Sequence, residues 1–196
     1  MENRSRRRVL TAGLAGTAAT LAGQRASAAA PSTTPPGRPS DADVALLGFA
    51  QGFELAARDL YQVALDEGAA GDEDRVLQTC ADNHQAYVDA LSGLLGTAAP
   101  NRRSDEVYDE WVDRFTTSSL EDVATAGLEL ESVGVATHND LLGQLEGIDG
   151  AKTIAAVVAV ASRLCVVLAD LSGQGDDLDT LFTNEADALA PPATEG

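Results

Sequence analysis

Apolar residues recur along most of the chain at steps of three and four residues, the spacing of an amphipathic helix. Serine and aspartate open several of these segments, and glycine closes them, in keeping with helix-capping preferences. The pattern predicts four main helices and a shorter one between the second and the third. Their predicted ranges are 41–67, 72–95, 105–115, 120–145 and 151–171, the third range being the short helix.

The lengths of the connections predict how these helices pack. Short turns join main helices one to two and three to four, so each pair is expected to be antiparallel. Residues 97–118 are long enough to cross the length of a bundle. We therefore predict an all-α fold, an antiparallel four-helix bundle with a long crossover between helices 2 and 3. Tyr108, Trp111 and Phe115 in the crossover are expected to cover the bundle; the alternative is a surface that binds a partner.

Main helix four is apolar over most of its length and carries no charge between Lys152 and Asp170 except Arg163. Such a run is compatible with a membrane span. The arginine in its middle and the acidic flanks favour a buried core helix instead.

The N-terminus is typical of an export signal. Ser5-Arg6-Arg7-Arg8-Val9-Leu10 resembles the twin-arginine signal, a short apolar stretch follows, and Ala26-Ser27-Ala28 provides a cleavage site. We predict a signal peptide over residues 1–28, a proline-rich linker over 29–40, a bundle over 41–173 and an acidic tail with a short helix over 174–196. The expected location is the periplasm, the cell wall or the extracellular space.

The net charge of the chain limits the classes of partner that it is expected to bind. Removing residues 1–30 takes away five arginines and one glutamate, so the net charge falls from −18 to −22. So acidic a protein is not expected to bind nucleic acid or anionic membranes. We expect no stable membrane span in the mature protein; the partner is unknown, and a homo-oligomer is left open.

Three ionisable residues lie among the apolar positions that should face the core. Glu54, His84 and Glu131 each occupy the middle of the buried stripe of a different main helix. A buried carboxylate is costly unless it is paired, protonated or bound to a cation. His84 as a shared cation and a metal ion held by all three residues both satisfy that need. His138, about 10 Å along the helix axis from Glu131, is expected to lie outside this site.

This arrangement resembles the ferritin-like proteins of the di-iron carboxylate group. These use a glutamate on the first and third helices and Glu-x-x-His on the second and fourth. Three ligand positions match, at Glu54, His84 and Glu131, whereas the other three hold Ala81, Ala161 and Leu164. The resemblance covers about residues 41–173 and implies a degenerate metal site, because both bridging carboxylates are missing.

The leading hypothesis is an exported, non-catalytic ferritin-like bundle with a binding or structural role and no cofactor. The alternative is a protein that binds iron or another divalent metal, or an oxidoreductase, with a reduced site of Glu54, His84 and Glu131. Whether the protein is an enzyme is left open.

Cys80 and Cys165 are the two cysteines of the chain. In the antiparallel arrangement that the resemblance implies, they lie at the same level of helices two and four. We predict a disulfide between them, which an exported location permits. The alternative is two free cysteines packed as small apolar side chains.

Overall fold

The computed structural model describes residues 37–191 apart from residues 70, 72 and 73. The predicted signal peptide, most of the predicted linker and residues 192–196 lie outside the described residues.

Within the described ranges every regular element is a helix, which confirms the predicted fold class. The helices are α1 Asp41–Asp66, α2 Asp74–Leu95, α3 Asp105–Phe115, α4 Leu120–Gln144, α5 Ile148–Leu171 and α6 Leu178–Phe182, with a 3₁₀ turn at Gly96–Ala98. Ser40, Ser104 and Ser119 cap α1, α3 and α4, each side chain accepting a hydrogen bond from a backbone N–H three residues later. These local caps explain why the sequence pattern located the helix starts.

The bundle consists of two helical hairpins that face each other. Helices α1 and α2 form one hairpin, and α4 and α5 form the other. Helix α3 lies in the crossover and packs on α1 and α4. Its residues Val107, Trp111 and Phe115 are buried in the core cluster, so the crossover aromatics cover the bundle as expected.

Helix α5 begins one turn earlier than the sequence predicted. Asp43 on α1 accepts hydrogen bonds from the backbone N–H groups of Glu146 and Gly147, at 3.0 and 2.8 Å, and holds the chain at the start of the helix. A methyl group on Gly150 would lie 3.4 Å from Cδ1 of Leu47. Gly150 thus lies inside the helix and packs closely on α1. The sequence pattern took this glycine as a helix boundary, because the contact with α1 is not visible in the local sequence.

The prediction of a buried core helix holds for one side of α5 only. Ile154, Val157, Ala161, Leu164 and Leu168 face the core, while the opposite side of the helix is exposed. By length and composition α5 is apolar enough to cross a membrane, yet only 33% of its most apolar 18-residue window is buried inside the bundle. A run with Arg163 as its one charged residue did not reveal which face of the helix would be covered.

Candidate functional site

His84 lies at the centre of the bundle between two carboxylates. Its Nδ1 is 2.6 Å from Oε2 of Glu54 on α1, and its Nε2 is 2.9 Å from Oε1 of Glu131 on α4. All three side chains are buried, with about 1% of each residue exposed. The structure thus brings together the three residues that the sequence singled out, and it joins them through both nitrogens of one imidazole ring.

Tyr61 is a fourth member of the cluster. Its hydroxyl donates a hydrogen bond of 2.9 Å to Oε1 of Glu131, and its ring stacks on the ring of His84 with centroids 5.5 Å apart. Burial, followed by the charge of Glu131, raises the pKa of Tyr61 well above its usual value. The hydroxyl therefore stays protonated as a donor. Tyr61 follows Glu54 by seven residues in the sequence and so lies on the same face of α1, but nothing in the sequence pattern indicated this contact.

His138 also belongs to the cluster, which corrects the expectation that it lies outside. Its Nε2 is 3.1 Å from Oε1 of Glu54. This is ion-pair distance, although the geometry is not that of a hydrogen bond. Its Nδ1 lies 2.6 Å from the carbonyl oxygen of Gly134 and must donate there, because a carbonyl can only accept.

The cluster is extended rather than centred on one point, and this explains the error. It runs from Glu131 through His84 and Glu54 to His138. The imidazole of His84 and the side chain of Glu54 together span the two helical turns that separate Glu131 from His138 on α4. Glu131 and His138 are about 10 Å apart along the axis of α4, too far for both to bind one ion. They can still belong to one cluster, because His84 and Glu54 lie between them.

Electrostatic interactions favour the charged forms of His84 and Glu54 at the centre of this cluster. Burial alone would lower the pKa of His84, but Glu131 and Glu54 on its two nitrogens raise it to about 10. Burial would raise the pKa of Glu54, but the charge and hydrogen bond of His84, together with the nearby ring of His138, lower it to about 2. His84 is therefore an imidazolium and Glu54 a carboxylate at neutral pH.

This arrangement does not fit a two-metal centre. A histidine binds a metal through the lone pair of a ring nitrogen, and both ring nitrogens of His84 face carboxylate oxygens. The positions expected to provide the remaining ligands hold Ala81, Ala161 and Leu164, which are buried apolar residues. Among the described residues, no group of three or more His, Cys, Asp or Glu side chains is arranged to hold a metal ion.

The two cysteines are free thiols in the structure, so the predicted disulfide is not formed. The Cys165 sulfur lies 4.0 Å from the Ser132 hydroxyl on α4, whereas the Cys80 thiol lies beside the hydroxyl of Tyr61 on α1. The two sulfurs thus have different neighbours although the sequence placed them at one level. Burial and the charge of Glu131 raise the pKa of Cys80 to about 12 and that of Cys165 to about 11. Protonated thiols of this kind are poor nucleophiles.

The fold and the cluster define a helical bundle with a buried carboxylate–histidine core. A family model described as a ferritin-like domain matches residues 42–174, and the chain belongs to this family. Neither the search of curated proteins nor the search of solved structures finds a match for the chain.

We expect the stability of the fold to depend on pH through this cluster. Unfolded His84 loses its proton near pH 6.5 but folded His84 keeps it to about 10. The free energy of unfolding should therefore fall as the pH rises above 6.5, by up to about 1.4 kcal/mol per pH unit. Glu54 acts on the acid side, where stability should fall below pH 4.5 and continue to fall towards about 2. Urea unfolding at a series of pH values measures both limbs.

The double variant Glu54→Gln/Glu131→Gln is the matched control, because its neutral side chains can still hydrogen-bond a neutral His84. The difference in stability between the wild-type chain and this variant should shrink as the pH rises above 6.5. Parallel profiles for the two chains over that range would show that His84 gains no proton on folding.

Proposed function

We propose that the chain is an exported ferritin-like protein whose core is closed by an ion-paired histidine instead of a two-metal centre. In this proposal it has no catalytic role and acts as a binding or structural protein. The observation that carries the proposal is the bridging of Glu54 and Glu131 by the two ring nitrogens of His84. One imidazolium then lies between the two buried carboxylates and offsets part of their negative charge.

The chemistry of the surrounding residues supports a non-catalytic role. Bridging carboxylates hold the two ions of a two-metal centre about 3.5–4 Å apart, and Ala81 and Ala161 provide none. The thiols of Cys80 and Cys165 are held protonated. In the described part of the chain, the residues around His84 therefore offer neither a pair of bridges nor an activated nucleophile.

The export step rests on the residues of the N-terminus. Ser5-Arg6-Arg7-Arg8-Val9-Leu10 and the Ala26-Ser27-Ala28 site support it. Replacement of Arg6 and Arg7 by lysine should leave uncleaved precursor inside cells, as seen by fractionation and immunoblotting. Lysine in place of Arg4 and Arg25 is the control with the same number of changes, and it should be exported and cleaved. Equal export of both variants would contradict a twin-arginine signal.

A second candidate function is the binding of a single metal ion near Glu54. The observation that favours it is the position of His138 Nε2, which is buried 3.1 Å from Glu54 Oε1 without a hydrogen bond. A cation at this end of the cluster would relieve the unmatched contact, and carboxylate and imidazole are ligands that many divalent metals accept. To use His84 as well, the ion would have to displace a carboxylate from one of its ring nitrogens.

Metal content separates the two candidates. We expect mature protein from Ala29, purified without chelators and then loaded anaerobically with Fe(II), to contain far less than one equivalent of any metal by mass spectrometry. Glu54→Gln should not change that content, and Glu110→Gln on the exposed side of α3 is the control for loss of a carboxylate. About one equivalent of metal that is lost in Glu54→Gln but kept in Glu110→Gln would establish the single-ion site and overturn the proposal.

A further inference from the structure

The outer side of α5 is unusual for a helix on a protein surface. Such helices normally turn charged and polar residues to the solvent. Here the exposed positions are mainly alanine and valine, with Val166 and Val167 50% and 42% exposed. The helix is 24 residues long, or about 36 Å, so this apolar side extends over several turns.

The exposed residues follow a regular spacing. The six that line the centre of this side are separated by four, three, four, three and four residues, and all are exposed: Lys152, Ala156, Ala159, Arg163, Val166 and Asp170. We call them the α5 seam. Alternating steps of three and four residues are the spacing of a coiled-coil contact between two helices. The two alanines leave room for a second helix to approach closely.

We propose that the α5 seam binds the α5 seam of a second copy of this chain in an antiparallel pair. In this pairing the two helices cross at the level of Ala161, which itself faces the core. Lys152 of one copy then lies opposite Asp170 of the other, and the same pair forms again at the other end of the contact. Ala156 then faces Val166, and the stem of Arg163 lies over Ala159. A two-fold symmetric contact uses the same surface on both copies. The seam is complementary to itself in this way, because it has Lys152 at one end and Asp170 at the other. A parallel pairing would instead place like charges together.

The charge of the chain also favours this surface for self-association. The whole chain has a net charge of −18, so most surfaces of two copies repel each other. The seam carries two positive residues and one negative residue, and it is a region where two copies can approach with little repulsion. The contact does not involve the buried cluster, so its failure would leave the proposed function intact.

The experiment is sedimentation equilibrium of the mature chain over the micromolar range. We expect a reversible dimer. Val166→Glu should yield a monomer with unchanged circular dichroism, because it places a charge opposite Ala156 of the other copy while remaining in solvent in the monomer. Glu110→Lys, on the exposed side of α3, is the control for a changed surface charge and should stay dimeric.

Charge reversal tests the antiparallel register. Lys152→Asp and Asp170→Lys should each weaken the dimer about tenfold, since each replaces two attractive pairs per dimer with two repulsive ones. The double reversal should restore the wild-type dissociation constant. A chain that is monomeric throughout the range overturns the proposal, as does a dimer that Val166→Glu leaves unchanged. A monomer that binds phosphatidylcholine vesicles through this seam would assign the surface to lipid instead and also overturn it.

Discussion

The pairing of His84 with two buried carboxylates is the interaction on which the core depends. Glu54 and Glu131 come from different hairpins, and neither carboxylate has access to solvent. Without a cation between them, two negative charges would face each other in a medium that screens them poorly. His84 on α2 contacts Glu54 on α1 through one ring nitrogen and Glu131 on α4 through the other. The imidazolium therefore joins three helices.

The other polar residues of the core are arranged around that pairing. Tyr61 donates to Glu131 on one side, and His138 approaches Glu54 on the other. Phe53 packs edge-on against His138, with ring centroids 5.6 Å apart, and a side chain on Gly134 would collide with that phenylalanine. The cluster is therefore supported by specific packing along α4. Ala161 and Leu164 of α5 face the core, while the outer side of this helix is free for the association proposed between two copies.

The fold could be predicted from sequence because its determinants are local. Ser40 and Ser119 cap their helices through contacts three residues away, and the apolar spacing identifies the inner faces. The site was predicted in part, since Glu54, His84 and Glu131 interrupt apolar stripes. The Tyr61 and His138 contacts were missed because they depend on how far side chains reach across the bundle, although His138 does lie on the same face of α4 as Glu131. The predicted disulfide was wrong for a similar reason, because sequence spacing assigns a level along the bundle but does not show that two sulfurs come within bonding distance.

The protonation of His84 can be observed directly. The chain contains two histidines, so their ring nitrogens can be assigned by ¹H–¹⁵N NMR with His138→Gln as a reference. In metal-free protein at neutral pH, we expect both ring nitrogens of His84 to carry protons and to keep them until the pH approaches 10. A neutral His84 ring with a single ring proton at pH 7 would contradict the account, because the two carboxylates would then lack the cation that holds them together.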